Sequence, residues 1–422
     1  MKLLVIGSGG REHALVWKLS QSPRVTSILC TPGNAGTAQL AVNHAVAATD
    51  LDGLVALAKN EQVDLTIVGP DDPLAAGIVD RFREAGLRVF GPTASAARLE
   101  ASKSFAKDFM VRHGIPTAGS ATFTDPQAAL AHCAASRYPL VVKADGLALG
   151  KGVVIARTRG DAEQAVREAM IDKVFGSAGD TVVIEEFLTG PECSIHALVD
   201  GSAYSLFPDA KDHKRALDGD QGLNTGGMGT ISPSREVDAP MQTRIRAEIL
   251  DPFLQGLKAD GLEFSGMLFP GLMMTPGGPK VLEFNCRFGD PETQSLMRRL
   301  KSDLIDLIEA TIDGKLTLAT PEWDHRAAVC IVLASGGYPG PIEKGKEISG
   351  LAEAASSDPD VVVFHAGTAL KDGKVVTSGG RVLGVTALGA TLDEARAKAY
   401  IAADLIRFEG KQLRRDIGAA KA

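Results

Sequence analysis

The first hundred residues switch repeatedly between two hydrophobic periods, and that switching restricts the fold more than any other feature. KLLVIG (2–7) is a continuous apolar run, the pattern of a buried strand. REHALVWKLSQS (11–22) follows with helical spacing that turns Ala14, Leu15, Trp17 and Leu19 inward. TSILCTPG (26–33) reads as a second strand, and DLDGLVALAKNEQ (50–62) as a helix opening on an Asp cap. DLTIVGP (64–70) is a strand closed by Gly-Pro, DPLAAGIVDRFREAG (72–86) a helix stopped by Gly86, and LRVFGP (87–92) a short strand. Strands alternating with helices across short connections predict a parallel, doubly wound sheet. Ligands of such sheets gather at the carboxyl ends of the strands, which here are 7–11, 32–36 and 69–72.

The texture changes after residue 92. Residues 93–113 are expected to form one long helix ended by Gly114 and Pro116. YPLVVKAD (138–145), GVVIARTR (152–159) and TVVIEEFL (181–188) are strands joined by a glycine loop or by one helix (162–170), which predicts hairpins rather than crossovers. Residues 205–235 are rich in Gly, Asp and Lys with little periodicity, the mark of a functional loop. A helix (240–259), two strands (266–275 and 280–286) and a helix (293–313) follow. The tail from 326 holds short strands and a last helix (392–408). The reading is therefore a multidomain α/β and α+β chain: 1–100 a doubly wound domain, 101–325 a central domain with a small lid at about 120–190, and 326–422 a C-terminal α+β domain.

Composition excludes several functions. A net charge of −7 argues against nucleic acid or an anionic membrane as a partner, although local basic clusters can serve a small anion. The five cysteines are scattered without a C-x-x-C, which argues against a zinc framework and for a reducing compartment. The apolar run in MKLLVIGSGG is too short for a signal peptide, and no stretch reaches membrane-span length. A cytoplasmic location is expected. Histidines occur singly and without an H-E-x-x-H, so ordinary structural roles are expected of them.

Five clusters carry candidate chemistry. Gly7, Gly9 and Gly10 precede Arg11 at a helix start, where free N–H groups suit an anion; a plain tight turn is the alternative. Glu12 at the sixth position breaks the G-x-G-x-x-G dinucleotide fingerprint. KADGLALGKGV (143–153) resembles a Walker loop but misses it twice: three residues separate Gly146 from Gly150, and Gly152 follows Lys151. A glycine loop returning in a strand is a hairpin lid over phosphate, led by Lys143. On 182–188, Glu185 and Glu186 must face opposite sides, so one can be a surface acid while the other meets a ligand. DHKR (212–215) beside NTGGMG (224–229) suits a small polyanion, or is a solvated charge run. In EFNCRFGDPE (283–292), Glu283 and Asn285 share a strand face and offer hard oxygens suited to Mg²⁺. Arg287 continues that face, where it could stabilise a transferring phosphoryl group.

The order of these motifs resembles the ATP-grasp superfamily. Within it the chain is similar to the glycinamide ribonucleotide synthetase (phosphoribosylamine–glycine ligase) family, along essentially its whole length: VIGSGGREHAL (5–15), PGNAGT (32–37), VVKADGLALGKGV (141–153), DHKR, NTGGMG, LEFNCRFGDPET (282–293), GGYPG (336–340) and FHAGT (364–368). The resemblance implies a pre-ATP-grasp N-terminal sheet, an ATP-grasp core with its lid, and an enzyme of purine biosynthesis. That enzyme joins glycine to 5-phosphoribosylamine through glycyl phosphate, using ATP and Mg²⁺ or Mn²⁺, as a monomer or weak oligomer. It places Lys103, Lys143, Gly146, Gly150 and Gly152 on the ATP phosphates, Glu185, Glu186, Phe187 and Leu188 at adenine, and Glu192 at the ribose. Glu283 and Asn285 become metal ligands. Asp212, Lys214, Arg215 and Arg287 are the catalytic group, and Gly9, Gly10, Arg11, Asn224, Gly226, Gly227, Asp290 and Glu292 face the substrates. The chain departs from the family pattern at Lys211 (often Gln), at Leu223 (commonly Pro) and at Phe269-Pro270 (often Tyr-Ala), and 267–274 carries no acid for a second metal. Rival readings are another ATP-grasp ligase or carboxylase, differing at 212–229; a nucleotide-binding oxidoreductase, disfavoured by Glu12; and a non-catalytic sensor, which would not need Arg287.

Overall fold

The computed structural model describes residues 1–147 and 152–419. Lys2–Gly7 is the middle strand of a five-stranded parallel sheet. Ser27–Pro32 and Val42–Asn43 lie to one side, Leu65–Val68 and Val89–Phe90 to the other. A central strand with helices on both faces has no wet side, which is why its sequence is a continuous apolar run. The doubly wound expectation is met, and Gly7, Pro32 and Gly69 come together at the carboxyl ends. The single helix expected over 72–86 is two, Asp71–Ala75 and Ile78–Glu84, because Gly77 takes a left-handed φ of +88° between them.

The helix expected over 93–113 is also broken. Ala94–Ala101 ends at Ser102, whose extended backbone (φ −133°, ψ 112°) and side chain cap Lys103–Arg112 through the Phe105 amide. Asp145 binds the Ser104 amide at 2.6 Å and the Ser102 hydroxyl at 3.1 Å, so the break docks on the start of the glycine loop. The helix expected over 293–313 divides likewise, into Glu292–Arg299 and Leu304–Ile312, the second capped by Asp303. These two helices bury Leu296, Met297, Leu304, Ile305 and Ile308 against Leu3, Leu15 and Leu19, joining the N-terminal sheet to the rest in one core.

The lid is an antiparallel four-stranded sheet ordered Ser120–Phe123, Val182–Glu186, Leu140–Ala144, Val153–Ala156. Its hairpin tip carries Gly150 and Lys151, which lie outside the described residues. The long strand Gly266–Thr275 pairs with Gly278–Asn285 along one edge and with Glu192–Ser194 and Ala197–Val199 along the other. A register shift opposite Gly271 and Leu272 precedes Glu283. Residues 205–235 are more ordered than their composition predicts: Lys211–Asp212, a hairpin of Arg215–Leu217 with Gln221–Asn224, and Gly229–Ser232. Gly229–Ser232 joins Ala327–Ala334 of the tail, in a sheet completed by Arg381–Gly389 and Val361–His365. Among the described residues no helix is long and apolar enough to cross a membrane.

The N-terminal helix meets the tail through two buried histidines. The His365 amide donates to His13 Nδ1 at 2.7 Å, which requires that nitrogen to be unprotonated. Burial, and then the neighbouring His365, lower the His13 pKa to about 3; burial lowers that of His365 to about 4. An unfolded histidine binds its proton near pH 6.5, so below that pH the unfolded chain holds more protons and folding stability falls with pH. From pH 7 to pH 5 the unfolding free energy is expected to drop by about 2 kcal/mol for each such histidine. Urea titrations at the two pH values check this, and a His13→Asn variant should show a shallower fall.

Candidate functional site

Lys143, next to last in its strand, has its ammonium 3.0 Å from Glu185 and donates to the Leu282 carbonyl at 3.0 Å. It therefore bridges the lid to the strand that carries Glu283. Glu185 is buried, with Lys107 at 3.2 Å on its other side. Burial, only partly offset by Glu185, lowers the Lys107 pKa to about 8. Sequence reasoning missed Lys107; its place one helical turn after Lys103 was the available signal. Lys103 donates to the Gly146 carbonyl at 3.0 Å, so a second lysine reaches the glycine loop from the helix start created at Ser102. Gly146 fits tightly there, since a β-carbon would lie 2.5 Å from that of Ala178.

Glu283 is the focus of the cations. Lys214 lies 3.8 Å from it, and although burial works against ionisation, Lys214, Lys143, Lys103 and Arg287 hold the carboxyl below its usual range. Four carboxylates around Lys214, Glu283 first, raise its pKa against the cost of burial. Two residues on, Asn285 donates to the Phe269 carbonyl at 3.2 Å and accepts from Arg287 at 3.0 Å. Arg287 is further held by Glu100 at 3.1 Å and by the Phe288 carbonyl, while its Nε has no partner among the described residues. Glu100, also absent from the sequence reading, accepts the Cys286 amide at 2.6 Å. Burial pushes its pKa up to about 7 while Arg287 pulls it down. An ionised carboxylate and an amide oxygen on one strand face fit a magnesium-type ion, which takes most of its ligands from phosphate and water. No group of three or more acids, histidines or cysteines able to hold a metal occurs among the described residues.

The adenine segment needs correction at its first residue. Glu185 lies on an inner strand paired with Ser120 on one side and Val141 on the other, leaving no open backbone edge. Its carboxylate instead sets the two lysines. Glu186 faces outward, as the alternation requires, on Lys280 and the Gly119 amide, both at 3.0 Å. The strand ends there, and Phe187 and Leu188 are half-buried beyond it. Glu192 is exposed, with Lys214 at 3.8 Å.

On the other side of Glu283, the half-buried Asp212 and the buried Glu292 form an acidic pair. Burial and their mutual proximity push the Asp212 pKa well up, and burial raises that of Glu292. Asp212 Oδ1 has no hydrogen-bond partner among the described residues. Gly227 (φ +114°) closes over it: a β-carbon there would lie 2.6 Å from that oxygen. His196, also unpartnered at both nitrogens, is stacked on Phe269 at 4.4 Å, where burial lowers its pKa to about 3.

Asp290 opens onto a cavity of about 340 Å³ between the N-terminal sheet and the tail. Ser8, Gly9 and Asn34 form one wall, and Gly367, Ser378 and Arg381 the other. Arg381 lies 3.4 Å from the Asp290 carboxylate and donates to the carbonyls of Asp290 and Gly226. Gly226 is thus tied to this wall. Sequence reasoning quoted 336–340 and 364–368 but assigned them no role, and it missed Arg381; the SGGR run (378–381) was the available signal.

Three expected substrate contacts and one expected catalytic residue point elsewhere. Arg11 is paired with Glu12 and donates to the Phe288 carbonyl, and Gly10 packs on Gln294. Glu12 also takes the Gly9 amide at 2.6 Å, filling with a carboxylate the position where the glycine turn would otherwise hold a phosphate. Arg215 folds onto the Gly222 carbonyl of its own hairpin at 2.8 Å, and Asn224 is an exposed strand end paired with it.

Comparison with known proteins places the chain in a family. Three family models match in chain order: phosphoribosylglycinamide synthetase N domain over 1–100, ATP-grasp (A) domain over 101–293 and C domain over 328–420. The chain is 51% identical to a phosphoribosylamine–glycine ligase of Vibrio cholerae serotype O1, covering 99% of this chain and 98% of that one. It is 53% identical to that of Xanthomonas campestris pv. campestris, covering 99% and 97%. The solved phosphoribosylamine–glycine ligase of Thermotoga maritima superposes with a TM-score of 0.87 at 36% identity, covering 99% of this chain and 100% of that one. A biotin carboxylase of Campylobacter jejuni, at 14% identity and a TM-score of 0.75, shares the fold. With an N-terminal parallel sheet, a lysine-led lid, an E-x-N strand and a tail that completes the cavity, the chain belongs to the phosphoribosylglycinamide synthetase family.

Proposed function

We propose that this chain joins glycine to 5-phosphoribosylamine, giving glycinamide ribonucleotide, ADP and phosphate. A glycine carboxylate oxygen attacks the γ-phosphorus of ATP as the bond to ADP breaks, forming glycyl phosphate. The amine then attacks the acyl carbon, phosphate leaves with the C–O electron pair, and the new amide loses a proton. One observation supports this most strongly: the single segment 283–292 carries Glu283, Asn285 and Arg287 at its start, and Glu292 and the cavity-lining Asp290 at its end. A phosphoryl donor and a sugar phosphate bound at its two ends would meet across it, and positioning is the main demand of such transfers.

Lys103 and Lys143 hold the ATP phosphates under the loop carrying Gly146 and Gly152, with Phe187 and Leu188 at adenine and Glu192 at the ribose. Glu283 and Asn285 hold Mg²⁺ or Mn²⁺, which neutralises phosphate charge. Arg287 stands beside them to stabilise the transferring group. The orphaned Asp212 oxygen and Glu292 receive the glycine ammonium, with Lys214 beside them. Ser378 and Arg381 bind the sugar phosphate, with Gly9 in the opposite cavity wall. The partners are small molecules alone, the chain works as a monomer or weak oligomer, and its five buried free thiols suit a reducing cytoplasm.

The test is ADP release with each substrate withheld in turn: release that does not depend on glycine overturns the reading. Arg381→Ala is expected to raise the KM for phosphoribosylamine about tenfold to a hundredfold, the worth of one charge-assisted contact. The KM for ATP should stay near wild type, as steady-state kinetics would show.

A further inference from the structure

The hairpin of Arg215–Leu217 and Gln221–Asn224 poses a packing problem. It is a two-stranded sheet of its own, and both Leu217 and Leu223 are exposed. An isolated hairpin is marginal in water. It nevertheless follows directly on Lys214, whose ammonium must sit between Glu192 and Glu283. Its own packing cannot hold Lys214 in place.

The chain's last described residues supply the support. Arg414 is 1% exposed although it is a surface-loop arginine by sequence. Its Nε and Nη2 grip the two oxygens of Asp416 at 2.8 and 2.7 Å, and its Nη1 donates to the Arg215 carbonyl at 3.1 Å and to Asp220 at 3.0 Å. Asp416 accepts the Gly219 amide at 2.8 Å, and Asp218 accepts the Arg415 amide at 2.7 Å. The same tail reaches the hairpin's base. Ile417 is fully buried beside Gly229, where a β-carbon would lie 2.9 Å from its Cγ2, and the Gly418 amide approaches His213 Nε2 at 3.4 Å. The tail is itself fixed to the helix Leu392–Leu405: the Tyr400 hydroxyl donates to the Arg414 carbonyl at 2.8 Å and accepts the Ile417 amide at 3.1 Å, and Arg396 binds the Ile417 carbonyl at 3.0 Å.

We propose that segment 414–418 is a clasp that carries the rigidity of the last helix into the substrate loop, with Arg414 as a positioning residue for Lys214 and Asp212. The proposal rests on the ligase reading above, in which those two groups meet glycine. Arg414 acts through the Arg215 carbonyl, one residue from Lys214, while Gly418 and Ile417 of the same segment meet the loop bases at His213 and Gly229. A planar guanidinium is needed because it grips both oxygens of Asp416 along one edge while its remaining nitrogen reaches Asp220 and the Arg215 carbonyl, a geometry lysine lacks. Loss of the clasp lets Lys214 drift by about an ångström, and misplacement on that scale costs up to roughly a hundredfold in rate.

The experiment uses the full-length chain and three variants, Arg414→Ala, Arg414→Lys and Asp218→Ala. Hydrogen exchange needs no substrate: amides of 215–227 are expected to exchange faster in all three, with the lid strand Leu140–Ala144 unchanged. In ADP-release kinetics, kcat/KM for glycine is expected to fall roughly tenfold to a hundredfold in both Arg414 variants, and less in Asp218→Ala, with the KM for ATP unmoved. Millimolar guanidinium should restore part of the turnover of Arg414→Ala and none of Arg414→Lys. Unchanged exchange over 215–227, or a loss of ATP affinity in step with glycine, overturns the clasp. Wild-type ADP release without glycine dependence overturns the ligase reading instead, and the exchange result still decides whether the tail holds the loop.

Discussion

Arg287→Lys is expected to lower kcat about a thousandfold while the KM for ATP changes little, since loss of a preorganised donor at developing charge costs two to three orders of magnitude. The expectation comes from how completely this guanidinium is fixed. Glu100 and Asn285 share one of its nitrogens, the Phe288 carbonyl takes another, and the Phe269 ring lies 5.7 Å away. Its Nε–H is buried and has no partner among the described residues. Although burial opposes its charge, Glu100 keeps the group more firmly protonated than a free arginine. Lysine would keep the charge but satisfy neither Asn285 nor Glu100 in the same plane. Single-turnover rates with bound ATP separate this from a binding defect; a Lys variant within tenfold of wild type would remove Arg287 from the chemical step.

Glu283→Gln is expected to abolish turnover that depends on a divalent ion, with an effect at least as large. The carboxylate sits among Lys103, Lys143, Lys214 and Arg287. Its replacement by an amide removes a hard anionic ligand and leaves those cations without their counter-charge, so Lys214 loses part of what raises its pKa. Mn²⁺ titration followed by electron paramagnetic resonance, in the presence of a non-hydrolysable ATP analogue, gives a readout independent of activity. If the Gln variant binds Mn²⁺ as wild type does, Glu283 is not a ligand.

The parts of this protein legible in sequence share one property: their chemistry interrupts a strong local pattern. Lys143 stands out because it closes an apolar strand before glycines, and Glu283, Asn285 and Arg287 because polar residues alternate on an otherwise apolar strand. The doubly wound sheet was legible because period and turn residues agreed over a hundred residues. The failures have the opposite character. Ser102 and Gly77 break helices whose apolar spacing continues through them; capping by Ser102 and the left-handed turn at Gly77 outweigh periodicity. Glu185 and Arg215 carry the right charge in the right motif, but their partners are Lys107, brought by a helix packed on the sheet, and the Gly222 carbonyl, brought by hairpin pairing, neither of which spacing reveals. Arg381 meets Asp290 across 91 residues, so no local window holds both halves of the cavity. Arg11 shows the limit of motif reading most clearly, because the neighbouring Glu12 takes it out of the site.

Gly229–Ser232 has a consequence for how the molecule must be made. Its partner strand Ala327–Ala334 is synthesised roughly a hundred residues later. During that interval the growing chain carries Gly229–Ser232, and the short Lys211–Asp212 strand beside it, without the sheet that will bury them. An unpaired edge of this kind recruits other strands. The substrate loop is therefore the last part of the site to be set, finished only when the tail arrives. Synthesis interrupted before the tail should yield chains with a formed lid and N-terminal sheet but no working site, exposed to aggregation at one identifiable strand.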